Sequence, residues 1–204
     1  MNGKEYLEQI SSSVRPEKKP TKGFLSSTLF KVIIGGIVGF IIIAIVGMAL
    51  GDKTVSVQDE ALELNLYIDS TTGAISKYQP SLKSSALRSY SASLNSVLSN
   101  TTREVETFLE NTYGRDKSRP DKTMEEDEKL HADGLDTDLF EAKINGILDR
   151  IFAHKMAYEI TMIMSRESDI YDRVSDGNLR TALDSSYNSL TNLYEQFNNF
   201  SEAN

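Results

Sequence analysis

The nineteen residues from Val32 to Leu50 contain no charged or strongly polar side chain, and this run constrains the chain more than any other feature. As a helix it spans about 28 Å, close to the roughly 30 Å hydrocarbon core of a bilayer. Lys31 and Asp52 bracket it with charge. A helix satisfies its own backbone polar groups in lipid, so a single transmembrane helix is expected over 29–51. The run exceeds the roughly 7–15 apolar residues of a secretory signal, and a long segment precedes it, so an uncleaved anchor is expected.

Charge sets the orientation. Residues 1–31 carry six basic side chains (Lys4, Arg15, Lys18, Lys19, Lys22, Lys31) against three acidic ones (Glu5, Glu8, Glu17), whereas the whole chain has a net charge of −8. Basic flanks stay in the cytoplasm, so residues 1–28 read as a basic, disordered cytoplasmic tail and 52–204 as an extracytoplasmic domain. The acidic balance of that domain disfavours nucleic acid, whose phosphates it would repel. Within the apolar run, Gly35, Gly39 and Gly47 fall on one helix face. Small residues let two membrane helices approach closely, so these three are the candidate self-association residues and a homo-oligomer is a candidate assembly.

Beyond the anchor, apolar residues recur at helical rather than alternating spacing. Ala61, Leu64, Ile68, Thr71, Ile75 and Tyr78 form a first stripe, and Leu87, Tyr90, Leu94, Val97, Thr101, Val105 and Phe108 a second. Pro80 separates them and Gly114 is a stop signal. Residues 114–136 are charged and interrupted by Pro120 and two glycines; they read as an exposed loop with a short helix at Met124–His131. A third helix is predicted from Asp136 or Asp138 to Val174, with Phe140, Ile144, Ile147, Ile151, His154 and Tyr158 on one face, widened by Leu148, Phe152 and Met156. Gly177 and Asn178 break the pattern before a fourth helix, Leu179 to Phe200, carrying Leu183, Tyr187, Leu190, Tyr194 and Phe197. The expected fold is all-α: one transmembrane helix followed by an antiparallel, four-helix bundle. The segment starting at Leu87 also echoes that starting at Leu179, which suggests a repeated helical hairpin.

Chemistry is sparse. There is no Cys, which removes disulfides and thiol nucleophiles. Glu-x-x-His occurs once, at Glu128–His131, whereas a di-iron bundle uses it twice. The acids Asp127, Asp133, Asp136 and Asp138 do not keep EF-hand spacing. His154 reads as a core or boundary histidine, and no Gly-rich phosphate loop or nucleophile elbow is present. No catalytic residue, cofactor or metal site is therefore expected. A membrane-anchored cell-envelope protein whose outer domain binds a protein partner or acts as a scaffold is the leading expectation. The alternative is a ligand-sensing or regulatory bundle that signals across the membrane. An apolar surface patch would favour the first, and a pocket with convergent polar groups the second.

Overall fold

The computed structural model describes residues 56–115 and 118–200, and these are all-helical. Five α-helices follow in order: α1 (Val57–Tyr78), α2 (Ser85–Tyr113), α3 (Lys122–Ile144), α4 (Leu148–Arg173) and α5 (Gly177–Asn198). No strand occurs among the described residues. None of the described helices is long and apolar enough to cross a membrane. The expected anchor, its glycines Gly35, Gly39 and Gly47, and the N-terminal tail lie outside the described residues.

Local chemistry explains the helix boundaries. Ser56, Ser84, Asp121 and Asp176 each stand in extended backbone one residue before a helix, and each side chain accepts a hydrogen bond from an N–H of the first turn. Such a cap satisfies a donor with no partner inside the helix, worth about 1 kcal/mol. Pro80 sits in a short 3-10 turn, Gln79–Ser81, that closes α1. The buried Asp149 carboxylate, in the first turn of α4, accepts from the backbone N–H groups of Lys83 and Ser84 at 3.0 and 2.6 Å. It ties the α1–α2 connection to α4.

Packing closes a ring in which α1 meets α2, α2 meets α5, α5 meets α4 and α4 meets α1, while α3 lies against α1 and α4. Neighbours in the ring run antiparallel. Thr101 of α2 bonds Ser186 of α5, and Tyr90 meets Phe197 one end further along. Arg173 at the end of α4 pairs with Glu60 at the start of α1. One continuous core runs through the ring, with Leu64, Ile68, Leu87, Leu94, Leu98, Phe152, Met156, Ile160 and Leu190 wholly buried.

The two hairpins α1–α2 and α4–α5 share one register. Every buried residue from Ala61 to Val105 except Leu62 has a buried counterpart 92 positions later, so that Leu64 answers Met156, Tyr78 answers Ile170 and Leu98 answers Leu190. The caps obey the same shift: Ser84 and Asp176 accept from Leu87 and Leu179 respectively. Tyr67 and Glu159, also 92 apart, hydrogen-bond to each other. Counterparts touch in this way where a two-fold relation between the hairpins passes between them.

Two expectations are corrected. The segment expected as a charged loop over 114–136 is helical from Lys122, so the described residues form five α-helices where four were expected. The predicted continuous third helix is two helices, broken at Asn145–Ile147. Gly146 takes φ +74, its N–H bonds the Lys143 carbonyl, and the Ile147 N–H reaches back to Ala142. That pairing is the Schellman stop, and glycine adopts the left-handed angle without the clash of a Cβ. The break also rotates the expected face of the third helix. Phe140, Ile144 and Tyr158 are exposed, as is His154, whereas Leu148, Phe152 and Met156 form the buried side.

Candidate functional site

The densest polar cluster lies where α3 crosses α1 and α4. Tyr67, from α1, is 3% exposed, and its hydroxyl donates to the Glu159 carboxylate on α4, itself 2% exposed. His131, from α3, stacks on the Tyr67 ring at 4.4 Å between centroids, with the planes 19° apart. The Arg166 guanidinium lies 4.1 Å from the centroid of the same ring. Tyr67 is therefore held between an imidazole and a guanidinium, whose charges interact favourably with the face of an aromatic ring.

His131 faces two carboxylates. Its Nδ1 is 2.8 Å from Glu128 one helical turn back, and its Nε2 is 3.1 Å from Glu159. The second approach is an ion-pair contact whose angle falls short of a hydrogen bond. Glu128 first, and then Glu159, raise the imidazole to about 9 from its ordinary 6.5, against the opposing effect of burial. Burial, followed by the Glu159 carboxylate, pushes the Tyr67 phenol well above its ordinary value. At neutral pH the site thus holds an imidazolium and a neutral phenol. An imidazolium cannot act as a general base, and a phenol so raised is a weak nucleophile. The arrangement is suited to binding charge and joining helices.

Tyr67, Glu128, His131 and Arg166 line a cleft of about 540 Å³, with Leu66, Met124 and Met162 supplying apolar walls. Glu63, Asp121 and Asp127 stand on the same cleft. Burial raises the Glu63 carboxyl, Arg166 opposes the shift, and the nearby Asp59, Asp127 and Asp121 add to it. The Glu-x-x-His pair Glu128–His131 is thus turned to a charge contact between helices. Among the described residues, no group of three or more His, Asp or Glu side chains is disposed to hold a metal ion.

The acids once expected in a loop take part in helix pairing. Asp136 accepts from Lys77 at 2.5 Å and from the Tyr78 hydroxyl at 2.9 Å, and Lys77 holds its carboxyl below the ordinary value. Asp138 pairs with Lys155 of α4. Periodicity marks Tyr67 as a core or boundary aromatic without showing its partners, and it does not mark Glu159, a carboxylate at a buried helix position. The polar contact was legible only as the Glu128–His131 spacing.

Two other surfaces stand out. On α3, Phe140 and Ile144 lie one turn apart and are 53% and 67% exposed. At one end of the helices, a groove of about 1400 Å³ with mixed polar and apolar walls runs past Lys83, Lys143, Asp149, Asn192 and Phe200. No family model, curated protein or solved structure matches the chain.

Proposed function

We propose that this is a membrane-anchored cell-envelope protein, with its N-terminus in the cytoplasm and an extracytoplasmic helical domain that binds a protein partner or acts as a scaffold without catalysis. In this reading α1, α2, α4 and α5 are an antiparallel four-helix bundle, with α3 added across one side. The observation that carries the interaction reading is the apolar pair Phe140 and Ile144, left in water on α3. Exposed apolar side chains at one place favour a partner surface. The anchor reading rests on the apolar run and the basic excess before it.

In-cell crosslinking of the full chain, followed by identification of adducts, tests the partner. A hetero-adduct lost in a Phe140→Glu, Ile144→Glu double variant is expected; recovery of the chain alone, or an adduct unchanged by the variant, overturns the reading. Digestion of intact cells from outside should remove the helical domain, and protection of that domain would reverse the orientation. Self-association through Gly35, Gly39 and Gly47 predicts that Gly39→Ile lowers the dimer fraction in lipid.

The sensing alternative is favoured by the α1–α3–α4 cleft, where charged and aromatic groups converge beside apolar walls. Its mark would be a small ligand that changes the state of the anchor.

A further inference from the structure

The two halves of α3 are attached differently. All of its buried residues, Leu135, Leu139 and Ala142, lie in the C-terminal half. The same half is pinned by Asp136 to Lys77 and Tyr78, and by Asp138 to Lys155. The N-terminal half, 122–134, has no fully buried side chain. Its contact with the rest of the core is Met124, half-buried, together with His131 and Glu128 in the cleft. Gly134 divides the halves inside the helix, with open space where its Cβ would stand. Packing therefore does not require glycine there, while glycine weakens a helix interior by about 1 kcal/mol relative to Ala. A weak joint separates a buried segment from one held by charge.

We propose that the N-terminal half of α3 is a lid over the α1–α4 groove, held shut by the His131 imidazolium between Glu128 and Glu159, hinged at Gly134, and released when that proton leaves. The charged and titratable groups facing His131 explain the direction. From α1 come Glu63 and Tyr67; from α3 and its cap come Asp121, Asp127 and Glu128; from α4 come Tyr158, Glu159 and Arg166. With the imidazolium present, Glu128 of α3 is bridged to Glu159 of α4. Without it, Asp121, Asp127 and Glu128 face Glu63 and Glu159 with Arg166 as the remaining cation of the cleft, and like charges repel across it. Opening uncovers Leu66 and Met162 beside Glu159. The sign follows from the raised imidazole: the closing contribution is complete below about 6.5 and is lost as pH rises through about 9.

The absence of Cys from the chain permits paired spin labels at chosen sites. In the full chain in lipid nanodiscs, one pair at Glu126→Cys and Asp184→Cys reports the lid, and a second at Lys143→Cys and Asp184→Cys reports the fixed half. The first distance is expected to gain a longer population as pH rises toward and through the His131 midpoint, measured by imidazole NMR on the same sample. The open-to-closed ratio should grow about tenfold per pH unit until the imidazole is deprotonated. The second distance should stay single. Glu128→Gln should move both midpoints toward neutral pH together, and Gly134→Ala should reduce the open population. A lid distance unchanged through the His131 titration overturns the proposal. So does joint movement of both pairs, or a Glu128→Gln variant that shifts the imidazole without shifting the opening. None of these readouts depends on the protein partner proposed above.

Discussion

Glu167 stands in the core between α4 and α5, 1% exposed, with no cation beside it. Thr101 donates to the Ser186 hydroxyl at 2.8 Å, and Ser186 donates to one Glu167 oxygen at 2.6 Å; the other oxygen has no hydrogen-bond partner. Burial raises this carboxyl from 4.5 to about 8, only partly offset by Ser186. The folded protein therefore keeps a proton that the unfolded chain releases above 4.5. The contribution of Glu167 to stability is complete below that value and falls as pH rises toward 8, with a limiting slope of about 1.4 kcal/mol per pH unit. Glu167→Gln cannot ionise, so the Glu167 contribution to this slope should vanish from its urea-unfolding free energies, most clearly between pH 5 and 6.5, below the His131 interval. An unchanged slope would show that Glu167 is charged in the fold. His131 acts in the same direction over the interval from about 6.5 to 9, so thermal stability of the domain should decline on the alkaline side.

At the scale of the helix, the ends of α3 deserve the sharpest tests. Asp121 accepts from the Met124 N–H at 2.9 Å, and Asp121→Ala should cost about 1 kcal/mol. Amide exchange should show that loss in 122–134 and leave Leu135–Ile144 protected. Gly146→Ala places a Cβ at φ +74, where a left-handed angle costs about 1–2 kcal/mol; a lower denaturation midpoint is expected. The sequence already held both signals. Asp121 follows Pro120 and precedes a run of good helix formers, and Asn145–Gly146 follows Lys143 as a helix stop. They were hidden by composition. A helix with three buried residues shows almost no apolar stripe, whereas the wide pattern from Phe140 to Val174 runs across the stop without interruption. α1, α2 and α5, each buried along most of a face, were legible because burial writes the period into the residues. The cleft was less legible. Its members come from three helices, and Tyr67, His131 and Glu159 become neighbours only through packing.

Across the whole molecule, the shift of 92 assigns most buried positions of one hairpin a counterpart in the other. Applied to the polar chain Thr101–Ser186–Glu167, the shift gives Leu193, Leu94 and Ile75, all buried. Similar locations are therefore filled once with hydrogen-bonding groups and once with hydrocarbon. Replacing hydrogen-bonded buried partners together by apolar side chains of fitting shape can be nearly neutral or stabilising. The triple variant Thr101→Leu, Ser186→Leu, Glu167→Ile should thus fold and unfold at a higher denaturant concentration than the parent at pH 8. Glu167→Ile alone should gain less, because it strands the Ser186 hydroxyl. A triple variant less stable than each single one would mean that the two hairpins pack more differently than their register implies.

That internal correspondence also makes the domain a comparison of two solutions to one problem, carried in a single chain under identical temperature, solvent and concentration. A substitution at one site can be judged against the residue already tolerated at its twin, without recourse to a second protein. The exceptions then mark where the halves have parted ways. Tyr67 and Glu159 are the plainest: twins by position, unlike in chemistry, and joined to each other beneath the helix that has no twin.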